Sequence, residues 1–321
     1  MSIFNFGVIG PGRIAYKFAD ACERVEGVTI GAVASTNLER ATSFANQYGI
    51  GQTYGSYEEL VNNESIDGVY IAVINTGHMK VIELAAKAGK AILCEKPSVV
   101  TIEEWNQVEK LVKENNVLFL EAVWTLFLPS VGKAKEWLLE GRIGQPRWLE
   151  TTASYQADSY EDRVYQDGIG GGALVDVGVY CIALSGYLAN HNPIEVEVME
   201  TIGVNEVDEY GTILLRYPNG IMSSGHYGIC VGRAQDTNIW GQEGKIEIKK
   251  EKDFQKVHLY NKAGEIVDTF DGSYENGFVY QIMHFCELYH AGKRESDVIS
   301  LANSRKYVQI YEDIRKKRVI E

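Results

Sequence analysis

The sequence predicts two domains: an α/β one built on a doubly wound parallel sheet, then an α+β one with a large, mostly antiparallel sheet. Three observations carry this. Short apolar runs alternate with amphipathic helical patterns over residues 1–121. The first of those runs ends in a glycine turn. Past residue 121 the alternation stops, and strand-like runs follow one another across turn signals. The expected division is therefore 1–121 and 122–321.

The elements of the first part read in order. An apolar strand, Ile3 to Ile9, meets Gly10-Pro11-Gly12, and a helical pattern (Ile14, Phe18, Ala21, Cys22, Val25) follows. Val28 to Ala34 is a second strand, and Leu38, Ala41, Phe44 and Ala45 mark one face of a helix stopped near Gly49. Gln52 to Tyr54 is a third strand; Ser56 with Glu59 forms a capping box for the next helix. Gly68 to Val73 is a buried fourth strand, followed by a helix over Gly77 to Ala88. Ala91 to Cys94 and Val117 to Glu121 are the fifth and sixth strands, with a helix from Ile102 to about Asn115 between them. In the second part a helix near Val131 to Glu140 precedes strands at Arg147–Tyr155, Glu195–Val204, Tyr210–Tyr217, Ile221–Cys230, Thr237–Gln242, Lys245–Lys249 and Lys256–Tyr260. One helix interrupts them after Gly170-Gly171-Gly172, and two close the chain, near Phe278 to Ala291 and Ser300 to Lys317.

Composition excludes several classes of function. The formal net charge of −13, from 31 basic and 44 acidic residues, argues against a nucleic-acid or anionic-membrane partner. The basic run Lys316-Lys317-Arg318 is short, lies near acids and reads as solvated surface. Five scattered cysteines form neither a disulfide framework nor a zinc motif, so no metal is expected. The first strand begins too early to leave room for a signal peptide, and no run is long and apolar enough to span a bilayer. A cytoplasmic protein is expected.

The glycine turn points to a dinucleotide. Gly10 permits the sharp turn, Gly12 lets a pyrophosphate approach the backbone, and small Ala15 lets the helix pack on the strand. The phosphates would rest on the first helical amides, those of Arg13 and Ile14. Taken alone, the pattern also describes a glycine turn in any βαβ unit. At the end of the second strand, where an acidic residue holds a ribose hydroxyl, the chain has Ser35, Thr36 and, one turn on, Arg40. Two hydroxyls and a cation suit a 2′-phosphate, which favours NADP over NAD. Asn75 and His78 follow the fourth strand and are further candidates for cofactor contact, as is Trp124 after the sixth; His78 and Trp124 also read as structural residues.

Two stretches carry chemistry. Cys94-Glu95-Lys96-Pro97 places a lysine at a parallel strand's C-terminal end, where an ammonium can bind a reacting hydroxyl and stabilise developing charge. Glu95 could orient the cofactor or the lysine. In the run Gly170 to Tyr180, Asp176 and Tyr180 are four apart and would share a helix face. A tyrosine's ordinary pKa of about 10 must fall if it is to act as a base, and a nearby ammonium lowers it. For both stretches an ordinary structural role remains open from spacing alone.

Together the opening turn Gly7 to Ala15, the segment Ala88-Gly89-Lys90 with Cys94-Glu95-Lys96-Pro97, and the run Gly170 to Tyr180 resemble the Gfo/Idh/MocA oxidoreductases across nearly the whole chain. Glu121-Ala122-Val123-Trp124-Thr125 and Tyr180 are most similar to the dimeric dihydrodiol dehydrogenases and NADP-dependent D-xylose dehydrogenases of that family. The resemblance implies an NAD(P)-dependent Rossmann enzyme that moves a hydride between nicotinamide and a sugar, polyol or related diol. It implies Lys96 as catalytic lysine, Asp176 as substrate-orienting carboxylate and Tyr180 as acid/base, a cis Lys96–Pro97 bond, and a homodimer or higher oligomer. The chain departs from many relatives in having Ile74-Asn75-Thr76 where they have Thr-Pro-Asn, Tyr180 where they have histidine, and no arginine at Thr36. Two rival readings are an NADP-binding sensor without turnover, and an enzyme that retains its cofactor and uses transient oxidation for epimerisation or glycoside cleavage.

Overall fold

The computed structural model describes residues 3–166, 170–249 and 256–318. The chain divides into two compact units, one of residues 3–124 and 276–308, the other of the described residues of 125–275 and 309–318. The chain thus returns to the first unit after Asn276.

The first unit holds strands β1 (Phe4–Ile9), β2 (Val28–Ala34), β3 (Gln52–Tyr54), β4 (Gly68–Ile71), β5 (Ala91–Glu95) and β6 (Phe119–Ala122). All pair in parallel, in the order β3-β2-β1-β4-β5-β6, the doubly wound order whose ligands sit at the strands' C-terminal ends. Helices α1 (Arg13–Cys22), α2 (Leu38–Tyr48), α3 (Tyr57–Val61), α4 (His78–Lys87) and α5 (Ile102–Asn115) alternate with them, and α9 (Phe278–His290) and the first half of α10 (Leu301–Arg318) complete the unit. All four residues of β4 are buried, as expected of an interior parallel strand covered on both faces. Val69, Ile71, Ile92 and Cys94 join Val81, Ile82 and Trp105 in one apolar core. The helix starts follow sequence rules: Asn37, Ser56 and Thr101 each accept the backbone N–H three residues on, capping α2, α3 and α5.

The second unit contains α6 (Pro129–Leu139), β7 (Pro146–Gln156), α7 (Arg163–Gln166), α8 (Val179–Ala189), β8 (Glu195–Ile202), β9 (Asp208–Arg216), β10 (Met222–Gly228), β11 (Cys230–Ala234), β12 (Thr237–Gly241), β13 (Gly244–Lys249), β14 (Lys256–Asn261) and β15 (Ile266–Asp271). The sheet runs β15-β14-β13-β12-β7-β10-β9-β8, with β11 also on β7. Its pairs are antiparallel except β7 with β10. Strand β7 alternates: Leu149, Thr151 and Ala153 are buried, whereas Trp148, Glu150 and Thr152 point to the other face. Helix α8, apolar on nearly every side, is buried against the inner face, where Gly225 leaves no Cβ to meet that of Cys181.

The expected fold is present, with local differences. Strand β4 stops at Ile71, and a 3-10 turn over Asn75–Gly77 precedes α4. The expected strand Ile221–Cys230 breaks at Ile229 into β10 and β11. Strand β15 was not anticipated: it is an edge strand with exposed Ile266 and Val267, so it lacks the buried apolar face that marks a strand in sequence. The helix after the triple glycine begins as a π-turn, Leu174–Gly178, before continuing as α8. Among the described residues, no helix is long and apolar enough to cross a membrane.

The capping of α5 gives a stability test. Thr101 Oγ1 accepts from Glu104 N–H at 3.2 Å, and the Glu104 carboxylate returns to Val100 N–H at 3.3 Å. Thr101→Ala should lower the unfolding free energy by about 1 kcal/mol in urea titration.

Candidate active site

The turn after β1 is shaped by what it lacks. Gly10 has φ 87°, and a Cβ there would lie 2.7 Å from both Val73 N and Val73 Cγ1. Its own N–H donates to Ala34 O at 3.0 Å, tying the ends of β1 and β2. Gly12 is the N-cap of α1 and brings no side chain to the helix start, unlike Asn37, Ser56 and Thr101. A Cβ on Gly12 would meet only Ala72 O, at 4.0 Å, so the approach to the amides of Arg13 and Ile14 is open. Ala15 is fully buried against the sheet. This is a cradle for an anion: main-chain donors, a helix dipole and space.

The end of β2 divides its polar groups. Ser35 is buried and its hydroxyl accepts from Asn37 N–H at 3.2 Å, while Thr36 and Arg40 are exposed. Arg40 lies in the first turn of α2, its backbone N–H held by Asn37.

Beyond β4, the Asn75 side chain is buried and its Oδ1 accepts from Thr76 N–H at 2.9 Å. His78 is 1% exposed and its ring is a strut. Nδ1 lies 3.0 Å from Pro97 O and 3.2 Å from Ser98 O, and Nε2 lies 3.0 Å from Val73 O. It thereby ties the loop after β4 to the segment carrying Lys96, whose bond to Pro97 is cis.

Glu95 and Lys96 end β5. Glu95 is buried, with Oε1 accepting from the Tyr70 hydroxyl at 2.5 Å and Oε2 from Lys96 N–H at 3.3 Å. Burial pushes its carboxyl above the ordinary range, against the Tyr70 hydrogen bond and the charges of Lys96 and Lys17, which pull it down. Lys96 itself is half-buried. Trp124 is 7% exposed and packs on Phe278 with ring centroids 5.5 Å apart. The Lys17 ammonium lies 4.2 Å from the Trp124 ring centroid and 4.6 Å from that of Phe278, within cation–π range. Neither Tyr70 nor Lys17 stood out in the sequence. A phenol inside an otherwise aliphatic strand, which must find a partner once buried, was the available signal for Tyr70.

In the second unit, Asp176 sits within the π-turn and Tyr180 two residues beyond it. The irregular winding replaces the simple helix face expected for the pair; π-turns of this kind recur at functional sites. Asp176 is buried and gripped on both oxygens. Arg163 Nη2 donates to Oδ1 at 2.9 Å and the Tyr155 hydroxyl to Oδ2 at 2.8 Å. Burial and then the charge of Asp176 hold the Tyr155 hydroxyl well above its usual range, so it stays a neutral donor. Tyr180 is half-buried.

A parallel sheet whose first strand ends in an open glycine turn at a helix start is the arrangement of a dinucleotide-binding domain. Residues 4–122 match the family model described as an oxidoreductase family with an NAD-binding Rossmann fold, and residues 131–247 match the Gfo/Idh/MocA C-terminal domain. The chain belongs to the Gfo/Idh/MocA oxidoreductase family. It is 29% identical over 320 residues to trans-1,2-dihydrobenzene-1,2-diol dehydrogenase of Mus musculus, covering 97% of this chain and 96% of the relative. Similar solved folds include a levoglucosan dehydrogenase in complex with NADH and levoglucosan (TM-score 0.88, 21% identity, 98% of this chain and 97% of the other). A 3-ketoreductase from Actinomadura kijaniata in complex with NADP and TDP-benzene is another (TM-score 0.86, 23% identity, 98% of each chain).

His78 can be tested as a strut. His78→Ala removes the ring from three backbone carbonyl oxygens, two of them buried, and should cost about 1–3 kcal/mol of stability, read by denaturant unfolding.

Proposed function

We propose that this protein is an NADP-preferring dehydrogenase or reductase acting on a CH–OH group of a sugar, polyol or related diol. The observation that carries the reading is the uncapped, side-chain-free start of α1 at Gly12, on the same sheet edge as Lys96. The pyrophosphate would be held by the turn Gly10 to Gly12 and the amides of Arg13 and Ile14. The adenosine 2′-phosphate would be held by Thr36 and Arg40, with Ser35 shaping that turn. Asn75, Glu95 and Trp124 would surround the nicotinamide half, and His78 would fix the loops that carry these contacts. Bound there, NADP supplies the hydride acceptor.

The remaining work is positioning and proton transfer. Tyr180 takes the proton of the substrate hydroxyl, and the Lys96 ammonium stabilises the negative charge that forms. Asp176 serves as a fixed acceptor for a neighbouring substrate hydroxyl, since Arg163 and Tyr155 hold its carboxylate in one orientation. A substrate with more than one hydroxyl suits this division, and the names of the murine relative and of the levoglucosan dehydrogenase are in keeping with it.

The second unit also offers a surface for a second copy of the chain. On the outer face of the sheet Trp240, Trp148 and Met222 are exposed cross-strand neighbours on β12, β7 and β10, and Leu214 on β9 is exposed on the same face. An exposed apolar row of this kind across neighbouring strands fits a two-fold interface. Trp148→Glu should shift the molar mass measured by light scattering from that of a dimer to that of a monomer; a monomeric parent protein overturns the assignment.

The test of function is a fluorescence titration with NADPH and NADH side by side, followed by a sugar and polyol screen. NADPH should bind tighter, and Tyr180→Phe should lower kcat by about a hundredfold while leaving NADPH affinity close to that of the parent. Binding of neither nucleotide to cofactor-free protein overturns the proposal.

A further inference from the structure

The π-turn that carries Asp176 is fastened from behind. Its first amide, Leu174 N–H, donates to Asp208 Oδ2 at 2.5 Å. Gly172, at φ 94°, passes so close to Asp208 that a Cβ there would collide with the carboxylate. Gly172 therefore serves this approach. Asp208 is only 1% exposed, and a carboxylate so placed needs a partner. The partner is Arg318, at the far end of α10, whose Nη2 lies 3.0 Å from Asp208 Oδ1. The same guanidinium forks onto Glu200, through Nε to Oε1 and through Nη2 to Oε2 at 2.7 Å. Glu200 also accepts the Tyr227 hydroxyl at 3.1 Å. The Tyr227 ring lies under the other end of the turn, where a Cβ on Gly178 would sit 3.3 Å from it. The expectation that Lys316-Lys317-Arg318 is all solvated surface fails at Arg318, which is 79% covered because it spans two buried carboxylates, while Lys316 and Lys317 are exposed.

We infer that Asp208 and Arg318 are positioning residues for the reaction, a charged clamp that holds the Leu174–Gly178 turn so that Asp176 and Tyr180 meet the substrate in one geometry. The inference rests on the reading of those two residues as reaction groups. The clamp carries a pH signature. Burial pushes the Asp208 carboxyl up to about 6, with Arg318 and the Leu174 N–H pulling it down and Glu200 pushing it up. Arg315 and Tyr227 are the other titratable groups coupled to it. As pH falls through that value, Asp208 gains a proton and loses the charge that binds Arg318. Without Arg318 the Asp208 carboxyl takes its proton at higher pH, and its remaining hold on the Leu174 N–H weakens there.

The experiment compares full-length Arg318→Ala and the isosteric Asp208→Asn with the parent, after NADPH titration confirms that each variant binds cofactor. Three readouts are taken: hydrogen exchange of the peptide spanning 172–178, kcat, and the pH profile of kcat. The expected result is faster exchange in that peptide for both variants, NADPH affinity within twofold, and kcat lower by roughly tenfold or more, since small displacements of reacting groups cost rates of this order. The acidic limb of kcat should move to higher pH in Arg318→Ala and disappear in Asp208→Asn. Unchanged exchange in Asp208→Asn, or faster exchange with kcat and its pH profile unchanged, overturns the inference. A fully active Tyr180→Phe, whose clamp is intact, overturns the functional reading instead, so the two failures are told apart.

Discussion

Much of the first unit depends on one close approach, that of the backbone at Gly10 to the backbone at Val73. The ends of β1, β2 and β4 converge there: Gly10 donates to Ala34 O, and Val73 N stands where any side chain on residue 10 would have to be. Only glycine satisfies both contacts at a positive φ. The consequence reaches past the turn. With β1 and β4 adjacent at the point where the strand order reverses, the first amides of α1 open onto the edge where β5 delivers Glu95 and Lys96. His78 extends the arrangement by joining Val73 O to Pro97 O, so the loop that packs against Gly10 also holds the segment following Lys96.

Buried carboxylates are treated differently in the two units, and the difference has chemical content. Near Lys96, Glu95 receives the Tyr70 phenol and Glu121 receives the Ser98 N–H at 2.8 Å, both neutral donors. Burial raises both carboxyls despite these bonds and the Lys96 charge. In the second unit Asp176 and Asp208 are each given a guanidinium, from Arg163 and Arg318, although burial raises the Asp208 carboxyl all the same. A charged partner favours the ionised acid and fixes its orientation, because the fork of a guanidinium is rigid. The first pattern leaves two buried carboxyls on neutral donors. The second builds a fixed acceptor and a fixed anchor.

What could be read from the sequence follows from the range of the forces involved. Strands Val28–Ala34 and Gln52–Tyr54 and the helix Ile102–Asn115 have the bounds expected, because periodicity and capping are local. Lys96, Asp176 and Tyr180 stood out for the same reason: each lies in a short motif. The Asp208–Arg318 ion pair joins residues over a hundred positions apart, and neither residue lies in a motif. Arg318 looked like surface because its neighbours Lys316 and Lys317 are. The π-turn was hard to foresee because the Asp208 carboxylate that meets its start at Gly172 lies on a different element. Tyr155 and Arg163 gave no sign that they would converge on one carboxylate.

These distinctions bear on how specificity is built under the proposed function. Backbone amides at Gly12 and the start of α1 recognise a pyrophosphate, which NAD and NADP share, so they cannot discriminate between the two. Discrimination must come from side chains at the end of β2, where Thr36 and Arg40 are exposed and Glu39 shares the first turn of α2 with Arg40. Such a contact is an exposed, screened one, worth less than the same pair buried. The substrate meets the opposite situation. Asp176 is buried, and its carboxylate is held by Arg163 and Tyr155 before any hydroxyl arrives. Under that reading, an acceptor oriented in advance favours a substrate hydroxyl in one position, whereas an exposed cation sets a milder preference for the phosphate.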